Sequence, residues 1–409
     1  MIDSDTEASG KETIETRRRA TQKKRALLQK RLSILTGMTL LVVVLLTVII
    51  NLVVPDKSFS VNENRNLAEW PKFSVQSLLD GSYTTGLQSY VSDQFFGRDG
   101  WITFKLKQDR IKGVQESNGV YLGKDGYLME KPAEPDNSAV QKSIDAINSF
   151  AEKYNSVHMH MTVVPNAACV LSDKLPKNAP VRDQKADLAN IKAHLNQQVS
   201  FTDVTSALSA HKKENIYYHT DHHWTSLGAS YAFHAMAGGL GIQNPPKKCD
   251  IYTVTNRFEG TMASKSGCYD YQDSIEVYIP KNSENSYYVT YEDSHKKSAS
   301  LYQSAALKAK DKYTVFLGGN HPLVTIHTTN NNRKCLLLFK DSYANCFVQF
   351  LTPYYEEIIL VDPRYYYENV GKIMSGENVT DVLFLYNLNT FAADTDLADV
   401  LSSAKMTAK

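Results

Sequence analysis

Cysteine is scarce. Five residues in a chain of 409 are too few for the disulfide framework of a small secreted scaffold. Neither sign of charge is in excess, with 45 Lys and Arg against 44 Asp and Glu. Residues 1–31 hold nine of the basic and five of the acidic residues, which leaves 36 against 39 elsewhere. Bulk charge therefore gives no support to a nucleic-acid-binding surface. No glycine-rich loop of the P-loop type is present, and no internal repeat is visible. What is present is a 42% hydrophobic, 22% charged chain, long enough to bury a sizeable core and unlike a disordered or low-complexity polymer.

Long uncharged runs are absent except one. Leu32 to Val54 reads LSILTGMTLLVVVLLTVIINLVV, and as a helix it rises roughly 34 Å, enough for a hydrocarbon core. Arg17, Arg18, Arg19, Lys23, Lys24, Arg25, Lys30 and Arg31 precede it without an intervening acid. Such a flank stays in the cytoplasm. The expectation is a basic cytoplasmic tail (1–31), one transmembrane helix (32–54) and an extracellular C-terminal part at the cell membrane. A cleaved signal peptide is the rival reading, but Pro55, Asp56 and Lys57 follow instead of a small-residue cleavage site. A buried core helix would leave the basic flank unexplained. Cys169, Cys335 and Cys346 sit in apolar runs and read as buried thiols, whereas Cys249 and Cys268 flank a polar stretch and could pair in an oxidising exterior.

Residues 55–118 read as a lead-in region packing on the ectodomain, with helices near Val75–Phe95 and Trp101–Lys112. Residues 119–409 form the main extracytoplasmic domain. A hairpin is expected at Val120–Leu122 and Tyr127–Met129, around a Lys-Asp-Gly turn. Short apolar runs then alternate with helical patterns. Val157–Val164, Val199–Val204, Cys335–Phe339, Glu357–Val361 and Asp381–Tyr386 read as strands, and Ser138–Tyr154, Gln184–Gln197 and Thr225–Leu240 as helices. That rhythm predicts an α/β fold with a mostly parallel sheet flanked by helices. A stretch at about 249–330, polar and rich in Tyr and Ser, interrupts the rhythm and reads as an insertion with strands of its own.

Two segments carry chemistry-bearing residues. In Tyr217-Tyr218-His219-Thr220-Asp221-His222-His223-Trp224-Thr225, Asp221 and His223 leave an extended chain on the same side. The carboxylate can then hold one imidazole nitrogen while the other faces a substrate, the Asp–His half of a nucleophilic triad. A metal site from His219, Asp221 and His223 is a second reading, and a helix-capping, core-satisfying role a third. In Leu336-Leu337-Leu338-Phe339-Lys340-Asp341-Ser342-Tyr343-Ala344-Asn345 an apolar strand ends in Asp-Ser before a helix. This places Ser342 at the carboxyl rim of the sheet, where open α/β folds bind ligands. Gly319 and Asn320, Asn387, and Arg364 lie at other strand ends. Gly319, Asn320 and Asn387 are candidates to assist at an oxyanion, with ordinary turns as the bland alternative; Arg364 can position a polar substrate or form a structural ion pair. No cofactor or metal is expected.

The string Thr220-Asp221-His222-His223-Trp224, followed by Lys340-Asp341-Ser342-Tyr343-Ala344, resembles the DHHW protein family of Gram-positive bacteria. The likeness extends to Glu63-Asn64-Arg65-Asn66-Leu67-Ala68, Asp93-Gln94-Phe95-Phe96-Gly97-Arg98 and Val120 to Gly126. That family is similar to the alginate O-acetylation proteins of the AlgX and AlgJ type, whose catalytic domain is SGNH-hydrolase-like. The resemblance implies a permuted triad: Asp221 orients His223, His223 is the base, and Ser342 accepts the acyl group. It also implies a multi-pass membrane O-acyltransferase as partner and cell-surface polysaccharide as acceptor. Lys340 stands where such hydrolases usually carry Gly, leaving the oxyanion donors unassigned. The reading is an extracytoplasmic O-acyltransferase, an O-acetyltransferase by that resemblance, or an esterase. A non-catalytic wall-polysaccharide binding or assembly protein and a metal-dependent hydrolase are the alternatives.

Overall fold

In the computed structural model the short apolar runs come together as one eight-stranded sheet. Residues 3–63, 65–245, 248–281 and 286–404 are described; Asn64 of the Glu63–Ala68 string lies outside them. By internal contacts the chain forms two units, residues 1–60 with 65–101, and residues 61–64 with 102–409.

The first unit contains the helix Asp3–Val53. Its stretch Arg18–Val53 is long and apolar enough to cross a membrane, and helical structure runs back through the basic flank as well. Phe59–Ser60 pairs antiparallel with Arg65–Asn66. The single helix expected over Val75–Phe95 is two, Val75–Leu79 and Ser82–Asp93. Asp80 ends the first, and its carboxylate accepts from the Ser82 amide at 2.9 Å, a local bond that competes with continuing the helix.

The second unit is built on β1 (His158–Val164), β2 (Val199–Phe201), β3 (Tyr287–Tyr291), β4 (Lys296–Ser298), β5 (Leu323–Thr328), β6 (Cys335–Lys340), β7 (Glu357–Val361) and β8 (Asp381–Asn387). Across the sheet the order is β4-β3-β5-β7-β6-β8-β1-β2. The pairs from β7 through β2 are parallel; those among β4, β3, β5 and β7 are antiparallel. In β6, Leu336 and Leu338 feed one core cluster while Cys335, Leu337 and Phe339 feed another. Alternation along a strand sends side chains to opposite faces, so a run apolar at every position is covered on both.

Residues 249–330 divide into two parts. Cys249–Phe258 and Asp273–Pro280 pair as a separate ribbon, whereas β3, β4 and β5 extend the main sheet as its antiparallel side. The apolar Tyr313–Leu317 run is not a strand; Lys312–Val315 is a 3-10 turn, and Phe316 bridges Tyr302. Cys249 and Cys268 are both free thiols. Cys249 starts a ten-residue strand and Cys268 follows its far end. A ten-residue strand spans about 33 Å, far beyond disulfide reach.

Register decides what meets at the rim. Lys340 pairs with Leu385, Phe339 with Val361, and Asn387 with Val164, so the residues following β6, β7, β8 and β1 emerge at one carboxyl edge. Trp224 ties the histidine segment to that edge. It is fully buried, donates from Nε1 to the Tyr343 carbonyl at 2.9 Å and stacks on Phe347 at 6.0 Å. Trp224→Ala empties this site and is expected to cost about 3–5 kcal/mol, and Trp224→Phe less. The measurement is the unfolding midpoint of the detergent-solubilised chain by circular dichroism; an unchanged midpoint for Trp224→Ala would contradict the role.

Candidate active site

The histidine segment is a loop, not the extended chain expected from its sequence. Tyr217 bridges Trp224 in antiparallel fashion, the Tyr218 amide donates to the His223 carbonyl at 3.2 Å, and the Thr225 amide to Ile216 at 3.0 Å. Asp221 still reaches His223, because a short carboxylate can accept from backbone two residues on. Its Oδ1 accepts from the His223 amide at 3.1 Å and from Nδ1 at 2.5 Å.

The ribbon secures the other carboxylate oxygen. Thr261 donates to Asp221 Oδ2 from its amide at 2.8 Å and from Oγ1 at 2.9 Å. Gly260 makes this approach possible, since a Cβ there would lie 2.3 Å from the Asp221 Cβ. Asp273, opening the ribbon's second strand, accepts from the His219 and Thr220 amides at 2.9 and 2.8 Å and from Thr220 Oγ1 at 2.6 Å. The polar stretch thus supplies the scaffold of the loop. Burial alone would raise the Asp221 pKa. The charges on His222 and His223 and the hydrogen bonds from His223 and Thr261 outweigh it and hold the carboxyl well below the usual range.

With Nδ1 donating to Asp221, His223 turns Nε2 toward Ser342 Oγ at 2.7 Å. Tyr313 stacks on the imidazole at 3.8 Å and 10° and donates from its hydroxyl to the Ser342 carbonyl at 3.0 Å. Burial, then the charge on His222, pushes His223 down to about 4, against the pull of Asp221. The ring is therefore neutral near pH 7, with a free lone pair on the nitrogen that faces the hydroxyl. Such an arrangement can deprotonate a serine.

Asp341, fully buried, accepts from the amides of Tyr343 and Asn387, both at 2.8 Å, and so braces the turn that carries Ser342. Asn387 accepts from the Asn389 amide at 2.9 Å and donates to the Val164 carbonyl at 3.2 Å; its side-chain bonds hold two neighbouring strand ends together. The Gly319–Asn320 turn does reach the serine's surroundings. Asn345, whose amide bonds to the Ser342 carbonyl at 3.2 Å, donates from Nδ2 to Asn320 Oδ1 at 3.1 Å. Leu317, Gly318 and Gly319 have φ of 60°, 79° and 109°, a left-handed run that two glycines make affordable. Asn345 Oδ1 in turn accepts from Lys340 Nζ at 2.8 Å. Lys340, 1% exposed, pairs with Asp362 at 3.5 Å. Arg364 grips both Asp362 oxygens at 2.8 and 2.7 Å, and its charge is felt at His223 and Asp341.

The metal reading fits these contacts poorly. His219 is drawn away from Asp221. It bonds Asp273 at 3.1 Å and stacks between Tyr127 (3.9 Å) and Tyr271 (5.5 Å). Asp221, His222 and His223 do bring ligand atoms within 4.8 Å of one another. Those atoms are spent on each other and on Thr261 Oγ1, 2.8 Å from His222 Nδ1. Sequence reasoning missed Gly260, Thr261, Asp273 and Tyr313. For Gly260-Thr261 the signal was a small residue and a helix-capping type just after a strand. For Tyr313 there was none.

The sequence model described as DHHW protein matches residues 63–149 and 134–361. The chain is similar to the crystal structure of a DHHW family protein from Eubacterium siraeum, at 27% identity and TM-score 0.60, over 71% of this chain and 96% of that one. It shares its fold with Bacillus cereus PatB1, solved with a sulfonyl adduct, at 20% identity and TM-score 0.57, over 68% and 97% of the two chains. The O-acetyltransferase domain of Pseudomonas putida AlgJ is a looser likeness, at 15% identity and TM-score 0.44, over 70% and 99%. No curated protein sequence matches significantly. With the family match running across most of the second unit and well over half of the whole length, the chain belongs to the DHHW protein family.

Proposed function

We propose that the protein is a serine-dependent O-acyltransferase, carrying acetyl groups to cell-surface polysaccharide outside the membrane. The observation that carries this reading is the hydrogen-bonded line from Ser342 Oγ through His223 to Asp221, at 2.7 and 2.5 Å. Ser342 gives its proton to His223 Nε2 as Oγ attacks the acyl carbonyl, and the imidazolium is stabilised by the buried Asp221 charge. The tetrahedral intermediate collapses, the leaving group takes the proton from His223, and an acyl-serine remains. A sugar hydroxyl then gives its proton to His223 and attacks the ester; the second tetrahedral intermediate expels Ser342 Oγ, which takes that proton back from His223. With water as acceptor the same steps make an esterase.

The side-chain amide of Asn320 is the proposed oxyanion donor, the Gly319 amide being taken by the Phe316 carbonyl at 3.2 Å, and Arg364 is the group that positions a polar acceptor. The basic flank of the Leu32–Val54 helix favours an N-terminus in the cytoplasm. A multi-pass membrane O-acyltransferase is the proposed source of acyl groups, since an activated donor must cross from inside. The sulfonyl adduct of PatB1 suggests a direct probe, because sulfonyl electrophiles react with activated nucleophiles.

A sulfonyl fluoride should label the full chain in detergent once, at Ser342. Ser342→Ala should abolish the label and lower p-nitrophenyl acetate turnover by about 10³-fold or more. Intact mass spectrometry and stopped-time absorbance read these; undiminished turnover in the variant removes the serine mechanism. Transfer to an added oligosaccharide, as against release of free acetate, separates transferase from esterase.

The pH profile follows from the buried base. Only neutral His223 accepts the serine proton, so kcat/KM should stay level as pH falls below 6.5 and drop only as it nears the His223 value of about 4. His222→Ala removes a charge that disfavours protonation of His223, so the acid limb should move to higher pH. A limb near 6.5 in the wild type, or one unmoved by the variant, contradicts this account.

A further inference from the structure

The first unit exposes more apolar surface than a soluble surface needs. Trp70 is 61% and Trp101 57% exposed. Phe73, Val75, Leu79 and Phe96 are exposed as well. A patch of this kind marks an interaction surface. Its position is set by three ties to the end of the apolar helix. Asn51 Oδ1, within that helix, accepts from the Phe96 amide at 2.7 Å. Asp56 accepts from the Tyr90 hydroxyl at 2.9 and 3.0 Å. Lys57 and Gln94 exchange hydrogen bonds at 3.0 Å in both directions. The rings are held in place too: Trp70 meets Tyr90 edge-on at 5.0 Å, and Phe73 meets Tyr83 at 5.3 Å.

We infer that residues 70–101 form a collar that lies in the headgroup region of the bilayer, around the point where the helix leaves it. This rests on reading Leu32–Val54 as membrane-spanning, and not on the acyltransfer mechanism. Continuity with the helix chooses lipid as the occupant. Phe96 is hydrogen-bonded to a residue inside the apolar run itself, so the patch starts at the depth where hydrocarbon gives way to headgroups. Tryptophan and tyrosine favour that depth, an apolar body below and a polar edge above. Lys57 and Lys72, both exposed, can meet lipid phosphates there.

The three tryptophans make the test direct. Trp224 is fully buried, so lipid contact can reach only Trp70 and Trp101. The full chain is reconstituted into phosphatidylcholine–phosphatidylglycerol vesicles whose acyl chains are brominated close to the headgroup. Emission from two of the three tryptophans should be quenched. Trp70→Phe and Trp101→Phe should each remove part of the quenching, and the double variant all of it. Carbonate extraction shows separately whether the helix is integrated. Integration without quenching of Trp70 and Trp101 overturns the collar and assigns the patch to a protein partner; failure to integrate overturns the membrane reading on which it stands.

Discussion

A single buried carboxylate governs the arrangement of the site. Asp221 is 2% exposed and accepts four hydrogen bonds, two from His223 and two from Thr261. An ionised carboxylate removed from water is costly unless its acceptor sites are filled. Here each bond that lowers that cost also places a group that matters. The pair from His223 sets the imidazole tautomer and its aim, and the pair from Thr261 joins the loop to the ribbon. Charge stabilisation and geometry are the same set of contacts, so the loop has little freedom to satisfy one without the other.

The ribbon changes how the polar stretch of the sequence is understood. Composition marks residues 249–330 as an interruption, because Tyr and Ser there break the alternation of apolar strand and helix. In space, Asp273 closes one side of the His219–Asp221 loop and Gly260-Thr261 the other. The same stretch contributes β3, β4 and β5, which lengthen the sheet. Half-buried strands such as Leu323–Thr328 present only alternate residues to the core, and this weakens their signal beside the fully covered β6.

What could be read from sequence was whatever depends on local pattern. The doubly covered strands β6, β7 and β8 are largely continuous apolar runs, and their spacing, with the buried β1, announced the parallel sheet. Ser342 at the end of β6 followed from that run alone. The meeting of Ser342 with His223 did not, because 119 residues separate them. It depends on Trp224 bonding the Tyr343 carbonyl and on Tyr343 donating from its hydroxyl to the His222 carbonyl. The break between the helices Val75–Leu79 and Ser82–Asp93 turned on one carboxylate choosing a nearby amide, a choice hydrophobic periodicity does not register. The lack of room for a Cβ at Gly260, which would lie 2.3 Å from the Asp221 Cβ, likewise belongs to tertiary packing.

Lys340 occupies a place where no side chain was expected to matter. Its ammonium lies between Asn345, which orients Asn320, and Asp362, which grips Arg364. A flank that turns toward solvent at Asn320 and a flank that does so at Arg364 are thereby strung on one buried cation. Neither can be retuned alone: whatever alters the grip on Arg364 also changes the charge balance around the ammonium that steadies Asn345. Substitutions at Asn320 and at Arg364 would therefore be expected to come as coupled exchanges, with the lysine as the hinge of the coupling.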